Sequence, residues 1–168
     1  MSLSMYSAFI PVAIHTLNNL AGLLAKGAAH CEARKIDPNA FLTARIYPDM
    51  FPLVRQVQIA SDTVKGGAAR LAGVEMPRYE DNETTFPELQ ARIDKTIAFL
   101  KTITPEQIDG KEDAHIVLSF PSRTFEFKGQ AYLTGWVLPN LYFHTTTAYN
   151  LLRQGGVEIG KADFLGGA

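Results

Sequence analysis

Four histidines are the side chains of this 168-residue chain that are best suited to acid–base chemistry or metal binding. They are His15, His30, His115 and His144, and none of them forms an HExxH or HxxxH pair with another. The sequence also contains no GxGxxG loop, no Walker-type phosphate loop and no GxSxG nucleophile turn. None of these common catalytic or phosphate-binding motifs therefore identifies a site.

His144 is the most informative histidine because it lies on the apolar face of a helical pattern. Apolar residues stand seven and three positions before it and four and seven positions after it: Val137, Leu141, Ala148 and Leu151. This spacing turns the imidazole toward the interior of a bundle. There it is either a buried neutral ring with a hydrogen-bond partner or a pocket-lining group with an acid–base or binding role. Asn140, one turn earlier, is the candidate partner.

A polar stripe on the second predicted helix offers further candidates. Arg55, Gln58, Asp62 and Lys65 recur there at helical spacing. The stripe is either a solvated face with helical charge pairs, or Gln58 and Asp62 turn toward a cavity that they share with His144. Asp62 is the only carboxylate in the middle of this helix, so it is the acid best placed for such a site.

Three more side chains complete the set of pocket candidates. His15 lies beside the apolar stripe of the first predicted helix and borders the same space. Tyr47 and Tyr142 lie near the elements that carry Gln58 and His144. Tyrosines in such positions either pack with a wet hydroxyl or line an aromatic pocket for a small ligand.

Four long amphipathic segments must position these residues. The apolar spacing predicts helices over about 4–29, from the N-cap Asp49 to Gly73, from the capping-box residue Thr85 to about 104, and over about 130–153. Residues 115–120 and 124–128 are rich in β-branched and aromatic residues and flank a turn, which predicts a hairpin. The sequence therefore predicts an all-α four-helix bundle with a small β-hairpin inserted before the last helix.

Prolines and glycines are expected to modify these helices. Pro11 should kink the first helix or mark where its first turns fray, and Pro139 should interrupt the last helix. The pair Gly66-Gly67 either weakens the second helix, by roughly 1 kcal/mol per glycine, or permits the close approach of a neighbouring helix.

Composition excludes several classes of function. Lys plus Arg is 16 and Asp plus Glu is 17, and this near-balance, a net charge of −1, argues against the strongly basic character of a dedicated nucleic-acid binder. One cysteine, Cys31, allows no intrachain disulfide and no cysteine-based zinc site. No uninterrupted apolar run of about 18 residues is present, and the N-terminus has no basic leader. We expect a single domain, residues 1–168, in the cytoplasm, with no nucleic-acid or membrane partner.

Three stretches of the sequence resemble a known family. They are 47–62, 71–74, and 139–149 leading to 160–166. Together they are similar to DUF1993, a bacterial family of unknown function, and in outline to the DinB/YfiT-like metalloenzyme superfamily. The resemblance covers essentially the whole chain, and it implies a four-helix bundle that is often a homodimer.

The superfamily resemblance also implies a divalent metal, such as Zn, Ni or Fe, held by three histidines, and in some members a thiol-dependent transferase activity. His144 matches one ligand position, whereas Ala148 stands at the second and Gln58 near the third. Because Ala148 has no donor atom and an amide is a weak ligand, we expect no cofactor. The leading hypothesis is a small-molecule pocket near His144. The alternatives are a hydrolase- or transferase-type enzyme that uses His144, with or without a metal, and a dimeric structural or interaction protein.

Overall fold

The computed structural model describes residues 3–167 and contains four long helices. They are α1 (Met5–Arg34), α3 (Leu53–Ala72), α4 (Phe86–Leu100) and α7 (Leu138–Gln154). Shorter helices precede or follow them: α2 (Pro38–Leu42), α5 (Pro105–Ile108), α6 (Gly129–Tyr132) and α8 (Lys161–Leu165). Strands β1 (His115–Phe120) and β2 (Arg123–Lys128) form an antiparallel hairpin before the last long helix. The predicted mostly helical fold with its hairpin is confirmed.

The core lies between α3 and its neighbours. α3 packs against both α7 and α4, while α1 also contacts α4 and α7. Large apolar side chains from all four long helices are fully buried there: Phe9, Leu17, Leu53, Val64, Leu89, Ile93 and Leu141. Burial of a side chain of this size contributes about 1.5–3 kcal/mol, so these contacts hold the bundle together.

α1 begins where the sequence predicts and ends later. Ser4 accepts a hydrogen bond from the Ser7 backbone N–H at 3.2 Å and caps the helix start. The helix continues through the exposed Pro11, so its first turns do not fray. It extends past the predicted end to Arg34 because Cys31, in its last turns, is buried in the core.

α1 is also a helix that is long and apolar enough, by length and composition, to cross a membrane. Its 18-residue window has a mean hydropathy of 1.4, and 39% of that window is buried in the protein. The sequence criterion of an uninterrupted apolar run does not identify this helix as a membrane span, because polar residues such as His15 and Asn19 interrupt the run. Its buried stripe packs on α4 and α7, as in the core helix of a bundle.

α3 begins later than the predicted N-cap at Asp49. Its N-cap is Pro52, because residues 47–50 instead form a turn that is closed by a hydrogen bond from the Met50 N–H to the Tyr47 carbonyl. The helix ends as predicted at Gly73, which has a φ of 66° in the left-handed region.

α4 starts with the predicted capping box. The Thr85 hydroxyl accepts from the Glu88 N–H at 3.3 Å, and the Glu88 carboxylate accepts from the Thr85 N–H at 2.9 Å. These two hydrogen bonds fix the point where the connection from α3 enters α4.

The last helical segment is interrupted just before Pro139, as predicted. Residues Leu133–Val137 form a π-helical turn between α6 and α7. Pro139 has no N–H to donate, and the wider turn accommodates the missing hydrogen bond. Trp136 in this turn packs against Phe125 and Phe127 of β2, with ring centres 5.2 and 5.7 Å away. Aromatic contacts therefore fasten the hairpin to the bundle, as an isolated two-stranded sheet requires.

Gly67 lets α3 approach the π-helical turn closely. A methyl group at this position would lie 2.9 Å from Val137 Cγ1 and 3.1 Å from Phe9 Cζ. At Gly66 the same group would meet mainly the end of the Arg70 side chain, which is exposed and can move away. Of the two alternatives for the glycine pair, close packing therefore applies to Gly67.

Alanine at these two glycines should give opposite results. Gly67→Ala is expected to lower the free energy of unfolding by about 1–2 kcal/mol, because Val137 is rigid and the core must shift to admit the methyl group. Gly66→Ala should leave it unchanged or raise it by up to about 1 kcal/mol through better helix propensity. Urea unfolding of both variants measures the difference, and equal effects would contradict the role assigned to Gly67.

Candidate functional site

His144 lies in α7 with its ring turned toward α3. The residue is 8% exposed, and its Nδ1 lies 2.7 Å from Oε1 of Gln56 in α3. The Gln56 amide nitrogen already donates to the Phe51 carbonyl at 2.9 Å. Gln56 therefore presents its oxygen to the ring, so Nδ1 carries the proton and donates. The tautomer of His144 is fixed by this contact.

The second ring nitrogen of His144 is left as an acceptor. Within residues 3–167, Nε2 has no hydrogen-bond partner. The fully enclosed side-chain atoms without a partner are Asp62 Oδ1 and Arg92 Nε, so Nε2 is not fully enclosed. This nitrogen therefore keeps contact with solvent. Burial lowers the pKa of His144 below the ordinary value of 6.5, so the ring is neutral at pH 7.

One exposed aromatic side chain adjoins the His144 ring. Phe143 is 57% exposed, and its ring meets the His144 ring edge to face at 5.2 Å between centres. Phe51 holds the Gln56 amide through its backbone carbonyl, whereas its exposed ring lies 5.7 Å from the guanidinium carbon of Arg55. The site therefore combines one oriented hydrogen-bond acceptor with the exposed ring of Phe143.

The other predicted neighbours of His144 make different contacts. Asn140 donates to the backbone carbonyl four residues earlier at 2.7 Å, so Gln56 takes the place of the predicted partner. Tyr47 is 64% exposed and Tyr142 is 42% exposed. Within the described residues neither tyrosine forms a hydrogen bond with the histidine.

His15 holds the C-terminal segment. Its Nε2 lies 2.8 Å from the Leu165 carbonyl, which can only accept, so Nε2 is the donor. Asn19, one turn further along α1, donates to the Phe164 carbonyl at 3.1 Å. These contacts fasten α8 to α1 and give His15 a structural role.

The two candidates on the second predicted helix face α4. Gln58 is 1% exposed, its amide nitrogen donates to Glu83 at 2.8 Å, and its amide oxygen accepts from Arg55 at 2.7 Å. Asp62 pairs with cations of α3 and α4. Neither side chain contacts His144, so the predicted cavity shared by the three residues is wrong.

The angular spacing of residues along α3 explains why Gln58 does not face His144. Gln56 and Gln58 are two positions apart and project to nearly opposite sides of the helix. The first therefore meets α7 and the second meets α4. Of the other alternative, the helical charge pair is present, because Asp62 lies 2.8 Å from Lys65, three positions further along α3. The stripe is only partly solvated, because Gln58 and Lys65 are buried and Glu83 from the segment between α3 and α4 covers Gln58.

Arg92 of α4 is the centre of the cluster that holds Asp62. Its side chain has no solvent exposure, and its guanidinium lies 2.9 Å from Asp62, 3.1 Å from Asp81 and 3.0 Å from Glu83. Arg55 adds a second ion pair to Asp81 at 2.6 Å. Because Asp81 and Glu83 belong to the segment between α3 and α4, one cation joins two helices and their connection.

Two atoms of this cluster lack a well-formed hydrogen bond. Asp62 Oδ1 lies within ion-pair distance of Lys65 and Arg92, at 2.8 and 2.9 Å, but neither contact has hydrogen-bond geometry. Arg92 Nε is buried and has no partner within residues 3–167. The cluster therefore depends on charge attraction as well as on hydrogen bonds.

The charges of the cluster keep one another ionised. Burial alone would raise the pKa values of Asp81 and Glu83, but hydrogen bonds from Arg55, Gln58 and Arg92, together with the Arg92 charge, bring both below their ordinary values. Burial alone would lower the pKa of Arg92, but the Glu83 hydrogen bond and the neighbouring carboxylates raise it.

Sequence reasoning missed Arg92 and Gln56. A signal for Arg92 is present, because it stands in the apolar stripe of the third predicted helix, between Leu89 and Thr96, and a charge at a core position requires counter-ions. No comparable signal marks Gln56. Its role depends on a contact with a residue 88 positions away in the sequence.

The residues present do not fit the metal that the superfamily resemblance implies. His144 is the one matching position with a nitrogen ligand, and its Nδ1 is engaged by Gln56. Ala148 has no donor atom, and both ends of the Gln58 amide are held in the α4 cluster. Throughout residues 3–167, no group of three or more His, Cys, Asp or Glu side chains is arranged to hold a metal ion.

His144 should titrate below the ordinary histidine value of 6.5. As pH falls, the unfolded chain therefore protonates this histidine before the folded protein does. The stability that the neutral ring contributes to the fold is fully present above pH 6.5 and is lost as pH falls toward the folded pKa. An NMR titration of the imidazole protons measures the pKa. A value above 6.5 would show that the ring is not desolvated as described.

Removal of the Arg92 charge should be strongly destabilising. Arg92→Gln is expected to lower the free energy of unfolding by about 3 kcal/mol at pH 7, because it leaves the buried Glu83 and the partly exposed Asp62 and Asp81 without their shared counter-ion. Asp113→Asn breaks the exposed Lys128–Asp113 pair and should leave the free energy of unfolding nearly unchanged, because solvent screens such a pair. Denaturant unfolding compares the two variants, and a small effect of Arg92→Gln would contradict the central role of this residue.

The stability of the cluster should also depend on acid pH. The pKa values of Asp81 and Glu83 are lowered from 3.8 and 4.5, so their contribution is present above these values and is lost as pH falls through the folded pKa values. Unfolding measured from pH 6 to about pH 2 should show this loss in the wild type and a weaker loss in Arg92→Gln. Parallel curves for the two proteins would argue against coupling between Arg92 and the carboxylates.

Comparison with known proteins agrees with this architecture. A family model described as "Domain of unknown function (DUF1993)" matches residues 5–165. Among solved structures, the chain is similar to a DinB family member protein from Shewanella denitrificans, with 38% sequence identity and a TM-score of 0.89 over 98% of this chain and 93% of that chain. A search of curated proteins gave no match. Because the family model spans nearly the whole sequence, the chain belongs to the DUF1993 family, and its fold is DinB-like.

Proposed function

We propose that this protein binds a small, largely apolar molecule with a hydrogen-bond donor at His144, without a metal ion. The observation that supports this most directly is the pairing of Nδ1 with Gln56, which leaves Nε2 as an acceptor in contact with solvent. Phe143 supplies exposed aromatic surface next to it, since its ring contacts the His144 ring. A ligand O–H or N–H that donates to Nε2 would rest its apolar part on this ring.

The lowered pKa of His144 supports the same proposal. A neutral imidazole has a free lone pair at Nε2, whereas a protonated ring donates from both nitrogens. Burial keeps the neutral form at pH 7. The neutral ring therefore favours ligands that donate a hydrogen bond. It does not attract anions, as a protonated imidazolium would.

Binding explains the contacts of His144 better than acid–base catalysis does. A catalytic histidine is commonly oriented by a carboxylate, which stabilises the protonated ring. The candidate carboxylate, Asp62, pairs instead with Arg92 and Lys65. Gln56 orients the ring but carries no charge, so it gives little stabilisation to an imidazolium.

Phenol is a suitable probe because it carries one hydroxyl donor on an aromatic body. Titration of the wild type should shift the His144 ring signals and the amide signals of Phe143 in NMR spectra. His144→Phe keeps a ring of similar shape but removes the acceptor, so phenol should bind about fivefold more weakly. His115→Phe, at a histidine that is 66% exposed in its side chain, is the matched control and should change nothing.

Acidification gives a second test of the proposed site. Phenol binding should be constant above pH 6.5 and should weaken as pH falls through the pKa of His144, because protonation removes the acceptor. Elemental analysis of the purified protein should find zinc, nickel and iron far below one equivalent. One tightly bound metal per chain, or phenol shifts that are unaffected by His144→Phe, would refute the proposal.

A further inference from the structure

A second cleft, which we call the Tyr79 cleft, lies on the other side of α3 from His144. It has a volume of about 430 Å³. Side chains of α3, among them Lys65 and Arg70, form one wall, and residues 76–79 with Asp81 form the other. The cleft is therefore built from the helix and from the segment that Arg92 holds in place.

The carboxylates at the cleft already form ion pairs with cations of the cluster. Asp62 lies 2.8 Å from Lys65 and 2.9 Å from Arg92, and Asp81 lies 2.6 Å from Arg55 and 3.1 Å from Arg92. Acids and bases of the cluster are equal in number: Asp62, Asp81 and Glu83 against Arg55, Lys65 and Arg92. Its internal charges therefore balance.

Three further cations at the cleft have no such counter-ion. Arg70 and Arg78 line it, and Lys95 approaches it from α4. Within residues 3–167 none of the three forms an ion pair, and the hydrogen bond of Arg70 goes to a neutral tyrosine hydroxyl at 3.3 Å. Glu80, in the same segment, accepts from Asn82 instead. The cleft therefore carries a surplus of positive charge.

Three cations lie close to the ring of Tyr79 in the cleft. The Nζ atoms of Lys65 and Lys95 lie 3.7 and 4.1 Å from its ring centre, and the Arg92 guanidinium carbon lies 5.2 Å from it. Each contact is a favourable cation–π interaction, but the cations repel one another. An anion bound beside the ring would reduce this repulsion.

We propose that the Tyr79 cleft binds the oxyanion group of a small organic molecule that also has an apolar part. Arg70 and Arg78 present planar guanidinium groups that suit phosphate or carboxylate oxygens, and Lys95 adds a point charge. Met76 and the ring of Tyr79 form an apolar wall for the rest of the molecule. This site is separate from the one proposed at His144.

Phenyl phosphate, benzoate and inorganic phosphate serve as probes at constant ionic strength. Phenyl phosphate or benzoate should bind with a Kd below about 1 mM and shift the amide signals of Met76 and Tyr79 in NMR spectra. Inorganic phosphate should bind more weakly because it lacks an apolar part. Whichever organic probe binds more tightly identifies the anionic group as phosphate or carboxylate. Phenol, which is uncharged, should leave these signals unchanged, and this separates the result from the test at His144.

Charge-removing variants complete the test. Arg78→Gln and Lys95→Gln should each weaken the organic anions about tenfold, as expected for loss of a charge-assisted hydrogen bond. Arg34→Gln removes an exposed arginine at the end of α1 and is the matched control, with binding unchanged. No saturation by either organic anion, shifts away from the cleft, or equal weakening in all three variants would overturn the proposal.

Discussion

The buried charge of Arg92 is the constraint on which the arrangement of this bundle depends. A guanidinium without solvent contact is costly, by several kcal/mol, unless carboxylates surround it. Those carboxylates come from α3 and from the segment between α3 and α4. The segment must therefore follow one path across α3, and this path both covers Gln58 and forms the wall of the Tyr79 cleft.

α3 separates two chemically different environments. On the side of α7, Gln56 fixes a neutral histidine beside the ring of Phe143. On the side of α4, Gln58 bridges Arg55 and Glu83 in a cluster of ion pairs. The amide suits both places because it can donate and accept at once without adding charge. A small rotation of α3 would disturb both sites together.

Local signals predicted most of the fold. The Thr85–Glu88 capping box, Gly73 at the end of α3 and the alternating pattern of β2 act through neighbouring residues, so the sequence alone reveals them. The predicted start of α3 is too early, because Asp49 is a good cap in isolation, whereas the Met50–Tyr47 turn competes for the same residues. The inward direction of His144 followed from helical spacing and is confirmed, since the residue is 8% exposed.

Partners of the candidate site could not be predicted in the same way. Apolar spacing shows which face of a helix is buried, but not which polar residue of another helix lies opposite. Ala148 illustrates the consequence. It is fully buried one turn after His144, where the superfamily resemblance implies a second ligand, so its methyl group occupies packed space. A histidine there would need the surrounding helices to move apart. Apolar packing of Ala148 and the Gln56–His144 contact thus occupy the position where the superfamily resemblance implies a metal.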